Sequence, residues 1–158
     1  MYNHAPENYK CPICITINDI ENEDTMIKQD DIVYRDDIVM AFISSKFVGN
    51  NPGHVLVVPI KHYENLYDLP EEEVNRIMKI AKKMAFAVKK VRNCDGVMVM
   101  QNNEPASDQH AFHYHLHVFP RFNDDKLHEN MSNARVSTPE EREIFSTELK
   151  EYLLKSEV

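Results

Sequence analysis

A chain of 158 residues, 42% hydrophobic and 28% charged, has the length and apolar content of one ordinary globular domain, large enough to bury a core. Its formal net charge of −8 argues against a broad grip on nucleic acid or an anionic membrane, both of which attract basic surfaces. No run approaches the ~20 apolar residues of a bilayer-spanning helix and no amino-terminal signal pattern is visible, so the expectation is a cytoplasmic protein with neither nucleic acid nor membrane as partner.

Residues 1–10 are polar and are expected to be loose as far as Cys11. Two of the three cysteines stand in Cys11-Pro12-Ile13-Cys14, a poor disulfide framework that suits a reducing compartment. The acidic stretch with Asp19, Glu21, Glu23, Asp24, Asp30 and Asp31 reads as a solvated loop or short helical turn. Ile32–Arg35 and Ile38–Ser44 form a predicted hairpin turning at Asp36-Asp37. After the turn Asn50-Asn51-Pro52-Gly53, His54–Ile60 reads as a buried strand, Val55-Leu56-Val57-Val58 being β-rich on both faces.

From Pro70 to about Arg92, apolar residues recur at Val74, Ile77, Met78, Ala81, Met84, Ala85, Val88 and Val91, three- and four-residue steps that predict one long helix. Pro70 and Glu71–Glu73 suit its first turn and Lys89, Lys90 and Arg92 its last, by the sign of the helix dipole. Cys94 reads as a small buried hydrophobe. Gly96 opens a strand, Val97–Gln101, and a polar loop leads to a histidine-rich strand that Pro120 ends. Residues 122–137 look irregular; the capping-box pattern Thr138-Pro139-Glu140-Glu141 then starts a last helix with Ile144, Phe145, Leu149, Tyr152 and Leu153 on its apolar face. No repeat or linker divides the chain, so residues 1–158 are expected to form a single α+β domain: a mainly antiparallel five-stranded sheet, one long helix and a C-terminal helix.

The most informative stretch is His113-Tyr114-His115-Leu116-His117. In an extended strand the three imidazoles project from one face, about 6.6 Å apart, and Phe112, Tyr114, Leu116 and Val118 form an apolar ridge on the other. An imidazole titrates near neutral pH, so such a face permits two chemistries: nucleophilic attack on phosphorus by one neutral ring, or binding of a metal ion by two or three rings. The cysteine pair can likewise chelate zinc, given two further ligands; a redox pair would need a βαβ context that nothing here supplies. His4 and His128 lie in polar surroundings and read as surface residues.

His113–Phe119 fits the pattern His-φ-His-φ-His-φ-φ, with φ apolar, and so resembles the histidine triad (HIT) family. Gln109, four residues before the first triad histidine, the strand Pro52-Gly53-His54-Val55-Leu56-Val57-Val58-Pro59 and Asp68-Leu69 extend the resemblance over about residues 10–122, leaving 123–158 as a C-terminal extension. The resemblance implies a HIT-like fold and a nucleotide hydrolase or transferase. His115 would attack the α-phosphorus of an adenine or guanine nucleotide, dinucleoside polyphosphates first and phosphoramidates second, forming a covalent nucleotidyl-histidine. His117 and Gln109 would bind the phosphate, Asn102 and His54 would line the pocket, and His113 would open the catalytic run. It also implies one structural zinc per chain on Cys11, Cys14, His62 and His113, and a homodimer through the long helix and a sheet edge. The residues alone leave two alternatives: a zinc hydrolase with His113, His115 and His117 as ligands, and a nucleotide-binding protein without turnover. The chain departs from the family at Asp108 (usually glycine), His110 (usually a small hydroxyl residue) and Ser44-Ser45-Lys46, where relatives often place Asp or Asn.

Overall fold

A computed structural model describes residues 2–22 and 25–156, so Glu23 and Asp24 of the predicted acidic loop lie outside the described residues. The order is α1 (Pro12–Ile17), β1 (Ile32–Arg35), β2 (Val39–Ile43), β3 (Lys46–Phe47), β4 (Val55–Pro59), α2 (Glu71–Val91), β5 (Gly96–Gln101), β6 (Leu116–Arg121), α3 (Leu127–Asn130), β7 (Arg135–Val136) and α4 (Pro139–Lys155). Five strands pair antiparallel in the order β1-β2-β4-β6-β5, and β3 pairs with β7 in a separate ribbon.

Alternation along the central strands decides what covers each face. Val39, Ala41 and Ile43 of β2, Val55 and Val57 of β4, and Leu116 and Val118 of β6 join one cluster with Ile77, Ile80, Ala81, Met84, Ala87 and Val88 of α2. Met40, Phe42 and Val58 point the other way and pack on Cys11, Ile13, Ile17 and Ile27. Cover on both sides explains why β4 is apolar at successive positions. Burying each large side chain contributes on the order of 1.5–3 kcal/mol. Among the described residues no helix is long and apolar enough to cross a membrane.

Several expectations are corrected. Pro70 is the extended N-cap of α2, outside its first turn. Met78 is 49% exposed, and Ile80 and Ala87 take its place on the buried stripe. Pro120 does not end the histidine strand: β6 runs to Arg121 and pairs Pro120 with Val97. Val118 is the last residue of β6 to pair with β4, and the Pro120 carbonyl accepts from Asn51 on that unpaired side, so its missing N–H costs little there. Residues 122–137 include α3 and β7. Ile144 is exposed, whereas Arg142, Ser146 and Leu149 are the buried residues of α4.

Residues 2–10 are tied down. Asn65 Nδ2 donates to the Tyr2 carbonyl, His4 N to Glu64 Oε1, and Phe112 N to the Tyr9 hydroxyl. Of the acidic stretch, Asp31 is buried against Arg142 while Asp19, Glu21 and Asp30 stay exposed.

Candidate active site

The histidine run is not one regular strand. β6 becomes extended only at Leu116; before it the chain bends, anchored where Tyr114 N donates to the Tyr63 carbonyl at 2.6 Å. The expectation of three rings on one strand face therefore fails. Tyr114, Leu116 and Val118 do enter the core, but Phe112 packs edge-on against Tyr9. His113 goes to one site and His115 and His117 to another.

His113 is completely buried, and its Nε2 lies 3.0 Å from the Pro59 carbonyl. A carbonyl only accepts, so Nε2 carries the proton and Nδ1 presents its lone pair. That Nδ1 lies 3.5 Å from both Cys11 Sγ and Cys14 Sγ, and His62 Nδ1 lies 3.2 Å from Cys14 Sγ. All four donor atoms fall within 4.8 Å of one another. A tetrahedral zinc with bonds of about 2.3 Å to sulfur and 2.0–2.1 Å to nitrogen needs sulfur–nitrogen edges of about 3.6 Å. The donors fit. Cys11 caps α1; the neighbouring Cys14 thiol, then His113 and the Cys14 amide that donates to the Cys11 sulfur, hold the Cys11 thiol well below its usual range. Among the described residues this is the one Cys/His/Asp/Glu cluster arranged for an ion, and it uses only His113 of the triad. The rings of His113, His115 and His117 do not converge as a three-ligand hydrolase requires.

His115 and His117 line a cleft of about 910 Å³ on the sheet face away from α2. His115 Nδ1 lies 2.7 Å from the His113 carbonyl, so it is protonated and Nε2 keeps the lone pair. His117 Nδ1 lies 3.2 Å from His54 Nε2, and the His115 and His117 ring centres are 5.0 Å apart. His54, expected to line the pocket, does so: it is buried and stacks on Phe119 at 4.0 Å. Burial drives the His54 imidazole down to about 3, with His115 adding repulsion; burial also lowers His115 and takes His117 well below its usual value. All three rings are neutral at neutral pH. A neutral, tautomer-locked imidazole beside a second hydrogen-bonding imidazole can act as a nucleophile with a proton-handling neighbour.

Asn102 lines the cleft, its amide donating to the Ser107 carbonyl. Gln109 does not reach the cleft wall. Its Nε2 donates to the Glu64 carbonyl at 2.7 Å and its Oε1 accepts from Glu104 N at 2.6 Å, which occupies both ends of the amide. The bond braces a loop in which Glu104 (φ +65°) and Asp108 (φ +63°) are left-handed. The Asp108 conformation is one that glycine adopts most freely, which accounts for the residue relatives use there.

The cleft has walls the sequence reading did not assemble. Phe42 and Leu56 come from β2 and β4, Met26 and Ile27 from the loop before β1, and His128, Met131 and Ala134 from the C-terminal segment. Phe42 and Leu56 were discoverable as the second apolar face of strands β-rich on both sides. The distant segments carried no local signal.

The HIT domain family model matches residues 26–124. The chain is 34% identical over 113 residues to an uncharacterized HIT-like protein of Saccharolobus solfataricus, spanning 72% of this chain and 77% of that one. A Hit-like protein involved in cell-cycle regulation from Bartonella henselae has a similar structure, with a TM-score of 0.76 at 33% identity over 94% of this chain and 98% of that one. A zinc-bound histidine triad family protein from Mycobacterium smegmatis gives a TM-score of 0.73 at 27% identity, over 92% and 94%. With the family model matching well over half of the chain and a relative 34% identical over most of both lengths, the chain belongs to the HIT domain family.

Proposed function

We propose that this protein is a nucleotide hydrolase that cleaves at an α-phosphate through His115. One observation carries the reading: the bond from His115 Nδ1–H to the His113 carbonyl leaves Nε2 as the lone-pair nitrogen of a ring that lines the cleft. In the first step the Nε2 lone pair forms a bond to phosphorus. The bond from phosphorus to the bridging oxygen, or nitrogen in a phosphoramidate, breaks, and its electron pair leaves with that atom. In the second step water adds to phosphorus and loses a proton, the phosphorus–nitrogen bond breaks, and the imidazole recovers its electron pair. His117, backed by His54, holds the bridging atom by a hydrogen bond, and the departing group takes any proton it needs from water. Asn102 lines the nucleotide site, and Gln109 acts by bracing the 104–109 loop. Cys11, Cys14, His62 and His113 would hold one zinc ion as a closed crosslink, a reading supported by the zinc-bound relative.

Dinucleoside polyphosphates are the favoured substrates, ahead of nucleoside phosphoramidates. The cleft volume supports this, being near the upper end of the ~300–1,000 Å³ range of small-molecule sites. The working form is a cytoplasmic homodimer; β5 ends the sheet with Val99 exposed and Phe86 of α2 is uncovered, so light scattering should give twice the chain mass.

The test is to quench the enzyme during turnover of diadenosine tetraphosphate and map the acid-labile adenylyl adduct. It should sit on His115, and His115→Ala should lower kcat by roughly 10³-fold or more, as for other nucleophile deletions. Undiminished turnover by His115→Ala would overturn the assignment.

A further inference from the structure

The cleft that holds His115 and His117 lies in a chain of net charge −8. Among the described residues lining it, Lys46 is the one lysine or arginine and Asp108 the one carboxylate. Lys46 is exposed at the cleft and has no ion pair or side-chain hydrogen bond among the described residues. Its backbone is held by a segment beyond the family match, since Lys46 pairs with Val136 and Phe47 with Arg135. Ser137 N donates to the Ser45 carbonyl at 2.8 Å, and Ser137 Oγ donates to the same carbonyl at 2.9 Å. The same segment closes the cleft wall, with Leu127 fully buried against Val48 and Phe119. The C-terminal extension thus sets an unpaired cation at the rim of a site otherwise without one.

We propose that Lys46 is a specificity-determining residue, which makes the cleft prefer nucleotides whose leaving group is itself a phosphate anion. The inference rests on the His115 reading and deepens it. When the bond from phosphorus to the bridging oxygen breaks, the leaving nucleoside polyphosphate takes the electron pair and gains negative charge. An unpaired lysine at the rim offsets that charge, whereas an amine leaving group gains little from it. Charge-assisted contacts of this kind are worth roughly ten- to a hundredfold.

The experiment compares kcat/KM for diadenosine tetraphosphate and for an adenosine 5′-phosphoramidate in wild type, Lys46→Met and Lys46→Arg. The ratio of the first to the second should fall roughly tenfold or more in Lys46→Met, largely return in Lys46→Arg, and shrink in wild type as salt rises. An equal loss on both substrates, or none, overturns the proposal. A separate arm measures binding of AMP, ADP and ATP in a His115→Asn background with and without Lys46→Met. Lys46 should supply the tightening from AMP to ATP, and a ladder unchanged by Lys46→Met counts against it. If wild type forms no adduct and cleaves neither substrate, the hydrolase reading fails, while the binding ladder still decides the role of Lys46.

Discussion

Arg142→Met tests whether the C-terminal helix holds the cleft in shape. Arg142 and Asp31 are almost fully buried, with the guanidinium 2.9 Å from Asp31 Oδ2. The same guanidinium donates to the Ser137 carbonyl at 2.7 Å and to the Met26 carbonyl at 2.9 Å. Methionine keeps most of the volume, so the cost is electrostatic. Asp31 would remain as a buried carboxylate with Lys28 N, at 2.8 Å, as its one remaining donor among the described residues, and two carbonyls would lose the guanidinium. Breaking a buried pair from one side costs about 3–5 kcal/mol. At 2–4 °C per kcal/mol for a domain of this size, Tm should fall by roughly 6–20 °C. Urea denaturation should show the loss as a lower midpoint with an unchanged m-value. Adding Asp31→Asn should recover about 1 kcal/mol or more, because the stranded charge is gone and the amide oxygen still accepts from Lys28 N. A loss below about 1 kcal/mol, or no recovery in the double variant, would refute a tightly buried pair. Met26 and Ile27 line the cleft, so the variant should also raise KM more than it lowers kcat.

Elemental analysis after purification without chelator should find about one zinc per chain, lost in Cys14→Ser. At zinc a hundredfold above its Kd the lost binding amounts to about 2.7 kcal/mol, so the variant should melt roughly 5–11 °C lower; a metal-free wild type would remove the crosslink. Stability should also fall with acid through His54. Its folded value of about 3 lies below the unfolded 6.5, so the unfolded chain binds the extra proton between those limits and ΔG declines as pH drops below about 6.5. The difference between wild type and His54→Phe, measured from pH 7 to 5 to stay clear of metal loss, should approach 1.4 kcal/mol per pH unit. Parallel curves for the two proteins would show that His54 is not buried in its neutral form.

Much of this could be read from local patterns. The three- and four-residue steps of α2, the Asp36-Asp37 hairpin and the Thr138–Glu141 capping box are encoded within a few residues, and each forms where the pattern puts it. Cys11, Cys14, His62 and His113, named through the family resemblance, do meet. Period-two reasoning failed at His113–His115 because a strand requires a partner on at least one side. There the chain instead bends to reach Tyr63 and Pro59.

By itself the amino-acid order determined the five main strands and two long helices, the two-sided burial of β4 and the residue types available for phosphorus chemistry, since periodicity and side-chain pKa are local properties; the short α1, β3, α3 and β7 carried no such pattern. Only the tertiary structure decided which nitrogen of His115 is free, that Gln109 braces a loop, that His54 backs His117 across 63 positions, and that β7 holds Lys46 at the cleft. Those outcomes depend on a hydrogen-bond partner brought from elsewhere in the chain. Neither the identity of that partner nor its direction is written in the neighbouring residues.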